Sequence, residues 1–295
     1  NVLQATIIDL VICMPGNADN DAFTVARAIK LRFPKIPCVV LTPFSHGITR
    51  RMKDEDMSSF DYVFCWLGNT NLIMSIIKLI EDKMNLDHDV REGVQMILLV
   101  EDSIRFYSSI LPMLYNYILK QSQNFATEAL NRHEATLRMR GRPKVVLARN
   151  YEEAMKVYEE YKENTLGVIS DARFPMTASS PQPSMQGGGV STDKAPDAGF
   201  QLLQAIRQED QFVPLIMESS ETANRLRAHD QHFLFIDKRS KTFNIDLRRA
   251  LEDHMGFGDF IFRDPATKKP IMRIHSLKEL QDNVFKIPND SMLYH

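Results

Sequence analysis

Four apolar runs in the second half of the sequence each lead into a residue able to do chemistry. MILLV runs into Glu101-Asp102, and LGVIS into Asp171. VPLIM leads through Glu218 to Ser219-Ser220, and FLFID leads to Lys238. In an open parallel sheet, ligands sit beyond the carboxyl ends of the strands. If these runs are strands of one such sheet, three carboxylates, a hydroxyl and an ammonium converge at one edge. Clustered carboxylates repel and do not all stay ionised without a cation. Mg²⁺ answers that need, because it is hard and takes a few carboxylates while keeping several waters. A carboxylate held beside it is a nucleophile toward phosphorus. The metal and the lysine neutralise charge on a transferred phosphoryl group, and the hydroxyl donates a hydrogen bond to it. The set suits the formation and hydrolysis of an aspartyl phosphate.

The elements that must position these residues are read from alternating strand-length apolar runs and helical periodicity, the pattern of a parallel α/β sheet. In the second half the expected strands are Met96–Val100, Val145–Ala148, Leu166–Ser170, Val213–Met217 and Phe233–Asp237. A helical pattern runs from about Ile104 to Arg140, longer than the usual 11–12 residues or so. Further helices are expected over Tyr151–Glu163, Phe200–Gln208 and Ile245–His254. Residues 176–198, with Gly187-Gly188-Gly189 and three prolines, read as a flexible loop. In the first half, strands are expected at Ile7–Cys13, Pro37–Thr42 and Tyr62–Leu67. Helices are expected at Asp21–Phe33, Gly47–Asp54 and Thr70–Met84, the last with Ile73, Ile76, Ile77 and Ile80 at core spacing. The polar stretch 85–95 joins the halves, which look like an imperfect repeat.

Composition sets the outer limits. A chain of 295 residues and 33.9 kDa fits two domains. The formal charge of −2 gives no electrostatic case for nucleic acid or an anionic membrane. No run approaches the ~18 apolar residues of a membrane span, and no signal-peptide pattern opens the sequence. Three cysteines, Cys13, Cys38 and Cys65, exclude a disulfide framework and fit a reducing cytoplasm. The first residue is Asn1, so the natural chain is expected to start upstream.

These residues resemble the response-regulator receiver family over nearly all of 94–255. MILLVEDS is similar to its first strand and acidic pair, and VISDARFP, with Pro175, to its phosphoacceptor strand. AGFQLLQAIR resembles its third helix, VPLIMESS its fourth strand, and FLFIDK its fifth strand and lysine. The resemblance implies that Asp171 accepts the phosphoryl group and that Glu101 and Asp102 hold Mg²⁺ with the Arg173 backbone carbonyl. It further implies that Ser219 and Lys238 contact the phosphoryl group and that Phe235 is the aromatic switch. Three features depart from the family: the long first helix, the enlarged 176–198 loop, and Glu218 where an apolar residue is usual. The first half resembles a receiver too, through DLVICMPG, IPCVVLTPFSH and FDYVFCWLG. It keeps a hydroxyl at Thr42. Met14 lies near its phosphoacceptor position and Cys65 or Trp66 occupies its lysine position, so it reads as a degenerate, inert copy lacking its N-terminal part.

The expected architecture is therefore two doubly wound, flavodoxin-like domains with five-stranded parallel sheets, the first incomplete. Residues 1–85 form the degenerate copy, 86–95 a linker, 96–255 the intact copy and 256–295 an extension. In that extension Asp259–Arg263 and Pro270–Ile274 read as a hairpin, and Ser276 to Glu279 as a capping box opening a helix that Pro288 stops. FGDFIFRDP and the residues after it weakly resemble the segment preceding the catalytic region of receiver-fused phosphoenolpyruvate synthase-like proteins.

Two functions are expected to compete. One is a phosphorelay module acting with a histidine kinase or phosphotransfer protein on an attached output. The other is a non-phosphorylated scaffold regulating a fused phosphoenolpyruvate synthase-like enzyme. For the long helix 104–140, a homodimer arm and a supported surface helix stand side by side. Asp19-Asn20-Asp21 reads as a helix cap ahead of a calcium site, and His88-Asp89 as solvated linker ahead of a metal-hydrolase pair.

Overall fold

The computed structural model describes residues 7–15, 22–43, 57–127, 131, 132, 136, 139, 141–177, 194–255, 260–267, 269–274, 277–288 and 291–294. The expected helix at 47–54, the Asp19–Asp21 cap, Ser276, and most of 128–140 and 176–198 lie outside these residues.

The chain is α/β, with a three-stranded and a five-stranded parallel sheet. The first sheet has strands β1 (Val11–Cys13), β2 (Cys38–Pro43) and β3 (Tyr62–Trp66), paired in that order. Helix α1 (Ala22–Arg32) follows β1 and buries Phe23, Ala26 and Ile29, three and three apart on one face. Helix α2 (Asn71–Arg91) follows β3. It does not stop at Met84 but runs on to Arg91, through much of the stretch expected to be a linker. Of the expected face Ile76 and Ile80 are buried and Ile73 packs against the core, but Ile77 is 47% exposed, and Leu72 and Leu79 complete the buried side.

The second sheet comprises β4 (Met96–Val100), β5 (Lys144–Ala148), β6 (Thr165–Asp171), β7 (Leu215–Ser219) and β8 (Leu234–Asp237), in the order β5-β4-β6-β7-β8. Between them run α3 (Ile104–Thr127), α4 (Tyr151–Tyr161), α5 (Ala198–Glu209) and α6 (Asn224–Asp230), and α7 (Phe243–His254) follows β8. The interior strand β4 is apolar and buried throughout, as a strand covered on both faces should be. Among the described residues, no helix is long and apolar enough to cross a membrane.

The two sheets share one core. Helix α3 lies between them, with Tyr107, Ile110, Leu111, Leu114, Tyr115 and Ile118 buried in a cluster that includes Phe64 and Leu79 of the first half and Ile97 and Ile169 of the second. The helix also satisfies polar groups of β3: the Tyr107 hydroxyl donates to the Val63 carbonyl, and the Cys65 N–H donates to Ser108 Oγ (2.9 Å). An edge strand left with bare amides and carbonyls is a pairing hazard, and these two contacts reduce it.

A buried ion pair ties the halves further. Asp82 of α2 accepts from Arg142 at 2.6 and 3.1 Å, from the Tyr115 hydroxyl at 2.8 Å and from the Val145 N–H at 2.9 Å. Asp89, also on α2, pairs with Lys144 at 2.8 Å and with His88 at 3.2 Å, so the His88-Asp89 pair belongs to a helix that braces the start of β5.

The extension holds the expected hairpin, β9 (Phe260–Arg263) against β10 (Pro270–Ile274), and adds a third strand, β11 (Met292–Tyr294), on the other side of β9. Helix α8 (Leu277–Asn283) lies between β10 and β11 in the chain. The sheet is fastened to the second half by Arg263 and Arg273, which donate to the carbonyls of Glu163 (3.0 Å) and Leu166 (3.1 Å).

Candidate functional site

The carboxyl ends of β4, β6 and β7 and the residue after β8 meet at one edge of the second sheet. Three residues there, Glu101, Asp102 and Asp171, bring carboxylate oxygens within 4.8 Å of one another. Glu101 is held by two backbone contacts: its N–H donates to the Ala148 carbonyl (3.0 Å), and its Oε1 accepts from the Ser103 N–H (2.9 Å). Asp171 accepts from the Ala172 N–H at 2.8 Å. Helix α5 starts so close to this turn that a Cβ on Gly199 would sit 2.1 Å from the Asp171 carbonyl oxygen. Only glycine fits there, and AGFQ is thereby part of the site's construction.

Lys238 reaches across the edge. Its ammonium pairs with Glu101, stands 2.9 Å from Asp171 Oδ1 and 3.9 Å from Glu218 Oε1, and lies 4.5 Å above the Phe106 ring. Burial alone would push the lysine down, but Asp171, Glu101 and Glu218 outweigh it and hold it raised and charged. Burial is also the main influence on the acids, and it pushes Glu101 and Asp102 up. For Asp102 the opposing influence is Lys194, whose Nζ lies 2.7 Å from both carboxylate oxygens.

The remaining expected residues sit nearby with other partners. Ser219 is buried at the end of β7, and its hydroxyl accepts from the Glu221 N–H (3.1 Å) and Asn224 Nδ2 (3.0 Å). The Arg173 side chain pairs with Glu221 at 2.7 Å. Phe235 stands on β8 beneath the Arg225 guanidinium, 5.4 Å from its ring centre. In the first sheet, Met14 follows β1 and is largely exposed, while Thr42 and Cys65 are register partners and buried. Burial raises the Cys65 thiol, so it is a neutral group. By register Cys65 stands beside Thr42 as Asp237 stands beside Ser219, which gives Trp66 the position equivalent to Lys238.

Glu218 is the residue whose part the sequence leaves open. It is the register partner of Asp171 on the neighbouring parallel strand, so both side chains leave the same face of the sheet. It is fully buried, and neither carboxyl oxygen has a hydrogen-bond partner. Burial and the Asp171 charge push it up to about 7, against the pull of Lys238.

The raised value makes stability depend on pH. An acid whose pKa is higher folded than unfolded binds more protons in the fold between the two values. Its penalty is absent below the unfolded value near 4.5, grows as pH rises, and is complete above about 7. Glu218→Gln mimics the protonated form at every pH. In EDTA, urea melts should show the variant's advantage over the parent growing by about 3 kcal/mol from pH 4.5 to 8, at 1.36 kcal/mol per unit. A gap that stays constant across this range would mean that Glu218 is not raised.

The donor set fits a hard divalent cation. All three side chains offer oxygen, and a fourth carboxyl beside them lacks a hydrogen bond. No family model matches the chain, and neither does any curated protein.

Proposed function

We propose that this chain is a phosphoacceptor signalling module in which Asp171 takes a phosphoryl group in an Mg²⁺-dependent reaction. The observation that carries the reading is the grouping of Asp171 with Glu101, Asp102 and the charged Lys238. At 14% side-chain exposure, Asp171 is the most open of these carboxylates, as a nucleophile that must meet a phosphodonor needs to be. The strand order of the second sheet supports it as well: renumbered from its own first strand it runs 2-1-3-4-5, the flavodoxin-like order.

In this reading Glu101, Asp102 and Asp171 hold Mg²⁺ with the Arg173 backbone carbonyl, and the ion when bound neutralises charge on the phosphoryl oxygens. An Asp171 oxygen attacks phosphorus, the new O–P bond forms, and the bond to the donor's leaving group breaks with its electron pair leaving on the donor. Lys238, which lies between Glu101 and Asp171, would pair with the new phosphate. Ser219 would turn from Glu221 and Asn224 to donate to it, with Phe235 responding behind. The phosphodonor would be a histidine kinase or a phosphotransfer protein. The first half, without a nucleophile or lysine, would serve as a packed partner to α3 and not as a second acceptor.

The test is incubation of the chain with acetyl phosphate and Mg²⁺. One added phosphoryl group, labile to hydroxylamine and mapped to Asp171, is expected. A chain that stays unmodified and also fails to bind beryllofluoride with Mg²⁺ would instead be a scaffold regulating an attached enzyme.

A further inference from the structure

The proposed chemistry leaves Lys194 without a role, although it makes the closest contact to Asp102. The backbone beside it is fixed. Ala195 pairs with Phe174 as an antiparallel bridge, its N–H donating to the Phe174 carbonyl at 3.2 Å. From there the Lys194 ammonium lies 2.7 Å from both Asp102 oxygens. The carboxylate is almost completely buried and the lysine largely so. A buried carboxylate left without a counter-charge is costly, and Lys194 meets that need while no metal is bound. Both Asp102 oxygens, from which a divalent ion would draw its ligand, already face the ammonium at contact distance.

We infer that Lys194 is a tethered cation that competes with the divalent ion for Asp102 and so sets the metal concentration at which the site fills. The inference rests on the reading that Glu101, Asp102 and Asp171 take Mg²⁺. Two cations held in contact with one carboxylate repel each other, so filling the site works against the Lys194 contact. Lys238 also contacts two of the proposed metal ligands, Glu101 and Asp171, but the phosphorylated product still needs it at the site, so Lys194 is the cation free to leave. Lys194 is tied to the chain, so the competitor is always present near the site. Coupling of this kind is reciprocal: whatever draws Lys194 away tightens metal binding, and metal binding frees Lys194.

The test uses the full 295-residue chain without phosphodonor, titrated with Mg²⁺ by isothermal calorimetry. Lys194→Met is expected to bind Mg²⁺ about tenfold tighter, the loss of one charge-assisted contact to the carboxylate. In EDTA it should melt below the parent, because Asp102 then lacks its partner. Lys194→Arg keeps the charge and should stay within about threefold of the parent. Equal affinity for the methionine variant and the parent overturns the competition while leaving the Mg²⁺ reading intact. Weaker binding by the methionine variant makes Lys194 a helper and overturns it too. Tightening by the arginine variant to the same degree removes charge as the cause. If neither parent nor variant binds Mg²⁺, the proposed function itself fails, and this inference with it.

Discussion

Asp82→Ala is expected to destabilise the chain by about 3–5 kcal/mol, the range for breaking a buried ion pair by removing one partner. Asp82 is fully buried and satisfies four donors: two from Arg142, the Tyr115 hydroxyl and the Val145 N–H. Alanine leaves the guanidinium of Arg142 buried with only the partly exposed Glu81, 3.8 Å away, as counter-charge, and the hydroxyl and amide without this acceptor. Each such orphan costs about 1–3 kcal/mol. The damage falls on the joint between the halves, because α2, α3 and β5 meet at this carboxylate. Urea denaturation measures the loss. The double variant Asp82→Leu with Arg142→Met separates two explanations. If the cost is the uncompensated charge, the apolar pair recovers most of it; if the carboxylate organises Val145 and β5, it does not. A loss under about 1 kcal/mol for the single variant, the range of an exposed pair, would falsify the view that this pair holds the halves together.

That pair also shows where the sequence falls silent. The strands of the second sheet are legible because apolar runs bounded by polar residues leave few alternatives, and β4 to β8 lie within about two residues of their expected limits. The candidate residues at the sheet edge are legible for the same reason, since a run's end tells which side chain stands there. Asp82 offers no such signal. On α2 it reads as one more polar residue, and its partners are 33, 60 and 63 residues away in sequence. The polar segment after Met84 looks like a linker because helical periodicity fades there. The helix continues because Leu86 is buried seven residues after Leu79, two turns along the same face, and because Asp89 finds Lys144. Glu218 is visible in sequence as a misplaced charge. Its meaning needs the strand register, which sets it beside Asp171. Lys194 lies in a stretch with no periodicity at all, so only the fold brings it to Asp102.

Asp171→Asn is expected to abolish phosphoryl acceptance and to leave the fold standing. An amide oxygen is too weak a nucleophile to attack phosphorus, and the neighbouring carboxylates, Glu101 and Asp102, are more deeply buried than Asp171. The stability effect depends on the metal. In EDTA two contributions oppose each other. The substitution removes the repulsion of Asp171 toward Glu101, Asp102 and Glu218, and it removes the 2.9 Å pairing with Lys238. Lys238 keeps Glu101, so no buried charge is stranded. The variant should therefore melt level with the parent or slightly above it. With Mg²⁺ the order reverses. At a hundred times its dissociation constant, a ligand stabilises the fold by about 2.7 kcal/mol, and the variant, with one anionic ligand fewer, gains only part of this. Thermal melts of both proteins across a Mg²⁺ titration should cross. If Mg²⁺ moves neither curve, the acidic cluster does not bind it. If acetyl phosphate still yields a hydroxylamine-labile adduct on the Asp171→Asn protein, the acceptor is another carboxylate.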